Sequence, residues 1–274
     1  MVRLAPAILC LSLCTAVVQG QLRTAAAEPP EAMAHARRAY ELAQSGQVDR
    51  AIAELQEAAR LAPANALYRS ALGGIYERQG RLEDAVNAFG EAVRLDPTNS
   101  MLAERLEIGS LEWGAVLARE RRFRAGLAHA RATASRFPKS AQVWLMLGLF
   151  GLGVAQSSAG MLKQAASTFL LGLKKFPADA MHRQAYGVLL VKLAEAGAAS
   201  VEGAAEMLES ALKLDASLAE AHYQLGSLAL SRNDAASAAE HFAAAARNGL
   251  DDSRLHYATA RALRRLGKEP EAAA

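Results

Sequence analysis

The stretch ALGGIYERQGRLEDAVNAFGEAVRLDP, Ala71 to Pro97, decides how the rest of this chain is read. Leu72-Gly73 and Tyr76 fall in its first half, Ala85, Phe89 and Ala92 in its second, and Gly80 between them. A small residue in each half lets the partner's side chain sit close to the backbone, so the stretch reads as two helices packed tightly together. Pro97 closes it, because proline lacks a backbone donor and disfavours helix in the residue before it.

The same marks recur in both directions. The small first-half residues are Ala39, Gly73, Gly114, Gly148, Gly187, Gly226 and Ala260, at spacings of 34, 41, 34, 39, 39 and 34. The second-half set, Ala51, Ala85, Gly126, Ala165, Ala204, Ala238 and Ala272, is spaced by 34, 41, 39, 39, 34 and 34. Pro63, Pro97, Pro138 and Pro177 end successive units, with Ala216 and Leu250 in the same place later. Such periods mark an array in which each hairpin buries its apolar face against its neighbours. The large residues Leu55, Phe89, Phe169, Leu208 and Phe242 are expected to fill the space between adjacent hairpins.

Departures from the period carry information. Pro97 lies 17 residues before Gly114, where comparable stretches have 10. Seven residues are about two helical turns, which predicts a first helix in the third unit that starts near Asn99 and is two turns longer. In units four and five the two small residues are 17 apart rather than 12, and the extra five are expected in hinges at Gly151 to Gly160 and Ala194 to Gly203.

These marks resemble the tetratricopeptide repeat from about Glu31 onward, with Trp144, Leu147-Gly148, Phe169 and Pro177 in unit four and Leu225-Gly226, Ala238, Phe242 and Ala245 in unit six. The resemblance implies an all-α fold, a right-handed α-solenoid of stacked antiparallel hairpins. About six units (32–65, 66–99, 100–140, 141–179, 180–218 and 219–252) would precede a final helix within 253–274. It also implies a non-catalytic scaffold that binds a protein or peptide partner on a concave face lined by the first helices. Carried over, that face includes Leu111, Leu145, Leu149, Leu152, Val188, Val191, Tyr223 and Tyr257 as partner-binding residues. Some members grip a terminal carboxylate with Lys, Asn and Arg. The matching early positions here are Ala36, Tyr40, Ser70, Ala71 and Gly74, so that clamp is missing.

Composition agrees with an all-α array and narrows the chemistry. Of the 274 residues, 52% are hydrophobic and 5% aromatic, enough apolar content for a core but built largely on alanine, which suits close helix packing. The net charge of +3 gives no electrostatic footprint for nucleic acid. Arg3 followed by the uncharged, mostly apolar Leu4 to Val18 reads as an export signal over residues 1–20, with a linker at 21–31. The mature chain is then expected to begin near Gln21 or Glu28, in the periplasm or outside the cell, as a scaffold of the bacterial envelope. A structural or accessory role in an envelope assembly or secretion complex, or as an enzyme accessory in trans, is the alternative. Cys10 and Cys14 are the only cysteines and both lie in the apolar stretch, so the mature chain holds neither a disulfide nor a Cys-based metal site.

Other motifs yield no chemistry. Gly148 to Gly153 matches neither G-x-G-x-x-G nor the Walker pattern. Ser140 to Leu162 is uncharged, yet Gln142, Gln156, Ser157 and Ser158 favour a buried helix over a membrane span. His35, His129, His182, His222, His241 and His256 make no close ligand pair, and half-buried packing is expected for His35, His222 and His256, which share one first-helix slot. Arg119 to Arg124 reads as a solvated hinge, and the basic group from Arg254 to Lys268 as a polar cap or a contact for an acidic partner. No cofactor, metal, small-molecule substrate or catalytic residue is expected.

Overall fold

The computed structural model describes residues 28–155 and 158–267; the export signal of residues 1–20, both cysteines and the start of the linker lie outside them. Thirteen helices and no strand occur among the described residues. They form six hairpins and a final helix: α1 Pro30–Gln44 with α2 Val48–Leu61, α3 Ala66–Arg78 with α4 Leu82–Leu95, α5 Ser100–Arg119 with α6 Phe123–Arg136, α7 Ala141–Ala155 with α8 Ala159–Lys175, α9 Ala180–Glu195 with α10 Val201–Leu214, α11 Ala219–Ser231 with α12 Ala235–Arg247, then α13 Ser253–Arg265. The fold class is all-α, a helical-repeat array. Two compact units are distinguished, one up to Leu106 and one from Glu107 onward.

The junctions between hairpins follow from a short local code. A proline stands two residues after the last residue of α2, α4, α6 and α8, and two residues later comes Asn65, Asn99, Ser140 or Asp179. These polar side chains cap the next helix. Asn65 Oδ1 accepts the Leu67 N–H at 2.9 Å, Asn99 Oδ1 accepts from Met101 and Leu102 at 3.1 and 3.3 Å, and Asp179 Oδ1 accepts from His182 at 2.8 Å. Each cap satisfies a donor that the first turn leaves free and contributes about 1 kcal/mol. Where the proline is lost late in the chain, Asp252 still caps α13 through the Leu255 N–H at 3.0 Å.

The turns inside the hairpins follow a second code. Gln47, Arg81, Arg122, Ala198 and Asp234 each donate a backbone N–H to the carbonyl five residues earlier, at 2.7–2.9 Å. That bond needs a left-handed residue just before the donor. Gly46, Gly80 and Gly197 supply it, Asn233 tolerates it, and Arg121 is held there at φ 58°. The run from Arg119 to Arg124 is exposed except at Phe123, as a solvated turn should be.

The large second-helix residues face two ways. Phe169, Leu208 and Phe242 share core clusters with the next hairpin's first helix, as expected, and they and Phe89 also press on the glycine of their own first helix. A Cβ at Gly73, Gly148 or Gly226 would lie 2.5, 2.5 or 2.6 Å from the ring of Phe89, Phe169 or Phe242, and one at Gly187 would lie 2.7 Å from Leu208. Unit three has Ala130 in the aromatic slot, and Met146 and Phe150 of α7 occupy the space over Gly114 and Gly126 instead. Phe89, Phe169 and Phe242 are all but fully buried, each contributing about 1.5–3 kcal/mol of transfer free energy.

The irregular spacings resolve differently from one another. α5 begins at Ser100 behind the Asn99 cap and runs for 20 residues against 13 for α3, as the two-turn insertion requires. The extra residues of unit four do not form a hinge: Gly151 and Gly153 are inside α7 and Gly160 inside α8, and both helices are lengthened. Unit five divides its insertion between a longer α9 of 16 residues and the 196–200 turn. Among the described residues no helix is long and apolar enough to cross a membrane, so the uncharged α7 is a helix of the array.

Arg121→Gly tests the turn code. The left-handed conformation costs a Cβ-bearing residue about 1–2 kcal/mol, partly offset by the unfolded-state freedom of glycine. The variant is expected to be more stable by roughly 0.5–1 kcal/mol in urea melts; an unchanged or lower midpoint would show that the arginine side chain's own contacts outweigh the backbone strain.

Candidate partner-binding surface

From Glu107 onward, four first helices and α13 carry the residues read as a binding face. α7 sets its character, since it has no charged residue and is apolar on every side. One side, with Val143, Met146 and Phe150, is buried in the core. Leu149 points away from it and is 47% exposed, between the half-buried Leu145 and Leu152. A helix apolar all round either has a neighbour on each side or shows apolar surface to solvent, and at Leu149 it shows surface.

The other residues of the row divide by burial. Leu111 is half-buried against the cluster of Leu117, Ala130 and Phe150. Leu145 and Leu152 pack partly against Leu162 and Phe169, and Val188 partly against Leu208. Val191 is only 7% exposed and belongs to the core with Ala204 and Leu208, so it is removed from the surface row. Val191 lies about 60° round α9 from Val188, and that small turn carries it from the edge of the face into the cluster around Leu208. Ile108 and Met181, also on first helices, are exposed at 47% and 45% and join Leu149. Both stand at the first-helix spacing of the face that the family resemblance implies. Met161, Leu170 and Leu171 are also exposed, on the second helix α8.

Tyr223 and Tyr257 belong to a separate feature. They line a cleft of about 360 Å³ between α11 and α13, floored by Leu230 and Ala258 and edged by Arg254 and Arg261. The Arg254 guanidinium stands 4.9 Å from the Tyr223 ring centre and that of Arg261 5.7 Å from the Tyr257 ring centre. Arg254 is tied to Asp252 at 2.8 Å and to Glu220 at 3.3 Å. That partnership, through its hydrogen bonds first, holds the Asp252 carboxyl below the usual carboxylate range. Sequence shows the arginines as a basic group but gives no sign that Arg254 sits over Tyr223, which is on another helix.

The tetratricopeptide repeat profile matches residues 36–100, 193–249 and 223–274, more than half of the chain. The chain belongs to the tetratricopeptide repeat family. Among solved structures, the thermophilic tetratricopeptide protein TTC0263 of Thermus thermophilus is 21% identical, over 72% of this chain and 98% of its own, with a TM-score of 0.47. The Cut9–Hcn1 heterotetramer of the APC/C is 15% identical, over 94% of this chain and 46% of its own, with a TM-score of 0.51. Naa15/Naa10 bound to HypK-THB is 17% identical, over 85% of this chain and 34% of its own, with a TM-score of 0.50. At such identities the likeness is one of fold. No curated protein sequence matches. Tetratricopeptide arrays are protein–protein interaction scaffolds and are generally non-catalytic.

The histidines of this tetratricopeptide array are mostly engaged in packing and ion pairs. His35 Nδ1 is 2.6 Å from Glu54 Oε2, and His129 Nε2 donates to the Ser110 carbonyl at 2.8 Å. His182 is wholly buried beside Phe176 and over Gly172. His256, expected to be half-buried, is exposed and bound to Asp251 at 2.8 Å. No three His, Cys, Asp or Glu residues converge as a metal site among the described residues.

His222 and His241 form an imidazole pair, 3.1 Å apart through their Nδ1 atoms. His222 Nε2 lies 3.2 Å from the Ala216 carbonyl and must donate to it, so its Nδ1 accepts the Nδ1–H of His241. Burial, and then the proximity of His222, push the His241 imidazole below its ordinary value, against the opposing pull of Glu240 and Glu209. The unfolded chain therefore takes up this proton first, at roughly pH 6.5, and stability falls as pH drops below that point. His241→Gln is expected to flatten the decline in melting temperature between about pH 7.5 and about pH 5.5; an unchanged slope would mean that the pair contributes nothing to acid sensitivity.

Proposed function

We propose that the protein is a non-catalytic scaffold of the cell envelope that holds an extended or helical segment of a partner protein on its first-helix face, with Leu149 as the central anchor. The observation that carries this reading is the exposure of Ile108, Leu149 and Met181 on first helices whose other sides are in the core. Exposed large apolar residues grouped on one face favour association. Leu145, Leu149 and Leu152 supply the three-and-four spacing through which apolar segments are gripped. The family supports protein binding; the envelope location rests on Arg3 and the apolar run to Val18. N-terminal sequencing of the fractionated protein reads that location directly, since Met1 retained in the cytosol would remove it.

A second reading, an assembly subunit that joins copies or fixed neighbours, is favoured by the exposed Met161, Leu170 and Leu171 on α8. Light scattering on the eluting protein separates the two, a stable oligomer supporting the second.

Leu149→Glu is the decisive variant once a partner has been captured by crosslinking in envelope extracts. Because the side chain is half in solvent, the charge should leave the melting temperature nearly unchanged. Partner affinity should fall by roughly 2 kcal/mol or more, as at a central hot spot. A large drop in thermal stability with binding retained would place Leu149 in the core and sink the anchor.

A further inference from the structure

The cleft between α11 and α13 has a chemistry the rest of the face lacks. The row around Leu149 is apolar, whereas the cleft sets two phenol rings and two guanidinium groups around an apolar floor. The two arginines are not equivalent. Arg254 is held by two carboxylates, Asp252 and Glu220, so its edge of the cleft offers no free positive charge. Arg261 has no carboxylate partner among the described residues, and its guanidinium reaches only the Tyr257 ring. Tyr257 is 64% exposed, the highest value among the large apolar and aromatic side chains that face solvent. Leu230 and Ala258 beneath are buried and offer no polar group from their side chains. The hydroxyls of Ser227 and Ser231 are turned to their own helix, donating to the Tyr223 and Leu228 carbonyls at 3.0 and 2.7 Å.

One uncompensated cation beside an exposed aromatic ring and a dry floor selects a particular occupant. A basic segment would be repelled by Arg261, and a neutral polar one would leave its guanidinium unpaired while gaining little from the floor. An acidic side chain can take the fork of Arg261 in a charge-assisted pair, and an apolar or aromatic residue next to it can cover Tyr257 and the floor. We infer that this cleft is a specificity site for an acidic segment of a partner protein, one in which Asp or Glu adjoins a large apolar side chain. The inference rests on the reading of the array as a peptide-binding surface and assigns to α11 and α13 the recognition of charge, leaving apolar grip to α7.

The test uses the full chain and an array of 12-residue peptides, acetylated and amidated so that only side chains carry charge. The peptides form three equal sets that combine Leu, Phe and Tyr with Asp and Glu, with Lys and Arg, or with Ser and Asn. The acidic set should bind best, with affinity falling as salt is raised. Arg261→Glu should weaken it at least about tenfold while leaving helicity and melting temperature in place, because the residue is exposed. Tyr257→Ala should weaken it as well. Equal binding of the three sets, acidic binding that Arg261→Glu leaves unchanged, or no binding of any peptide would each overturn the cleft. Leu149→Glu measured on the same peptides keeps the two ideas apart. Loss at Leu149 with Arg261 silent removes the cleft and keeps the scaffold reading, and the converse keeps the cleft and removes the apolar anchor.

Discussion

A glycine on one helix facing a ring on its partner is the contact on which the hairpins depend. Three of the six hairpins use a phenylalanine for the ring and a fourth uses leucine in its place. Only a residue without a Cβ allows the ring to lie against the backbone. The approach is close enough that added volume has nowhere to go in an interior packed like a crystal. The contact joins the two helices of each hairpin, and stacking the hairpins then buries the outer faces. Unit three breaks the rule with Ala130, and its core is completed from outside by Met146 and Phe150. That borrowing ties the third and fourth hairpins together, and it places α7, an uncharged helix, so that one side is consumed by the core while Leu149 remains in solvent.

Much of this was legible in the residue order because the code is local. Small residues at recurring spacings, a proline after each of the first four second helices and a polar cap two residues later specify where helices begin and end. A two-turn insertion could be located because the stripe has to stay in register across it. The hinges foreseen at Gly151 to Gly160 were misplaced for a related reason. Glycine inside a long apolar run costs helix stability only about 1 kcal/mol, and packing of Gly148, Gly151 and Gly153 against Phe169, Ala165 and Phe123 recovers it.

The candidate site was less legible because its properties depend on which helices meet. Carrying the family's face over by register named Leu149, Tyr223 and Tyr257, all wholly or partly open to solvent, but it also included Val191, which the unit-five packing draws inward. Arg261 and Tyr257, four residues apart on α13, share a face by spacing alone, but Arg254 stands over Tyr223 only because α13 stacks on α11, a relation between distant parts of the sequence that no spacing rule encodes. Burial, charge compensation and aromatic contact are properties of the folded pair of helices. The array thus separates two tasks: a recurring glycine-and-ring contact that builds the hairpins, and a first-helix surface that differs from one hairpin to the next.

The central claim is that the glycine and the ring are one unit, and a double-mutant cycle at Gly226 and Phe242 measures this directly. Unit one already holds the compensated pair, Ala39 and Leu55, both buried in the same cluster. Gly226→Ala alone should overpack the hairpin at a cost of about 1–3 kcal/mol, less the roughly 1 kcal/mol by which alanine favours helix. Phe242→Leu alone should leave a cavity and cost a similar amount. The double variant recreates the pair of unit one and should be more stable than the sum of the single losses by about 1 kcal/mol or more. Losses that simply add, within about 0.5 kcal/mol, would mean that the two positions do not share a packing constraint and would contradict the account.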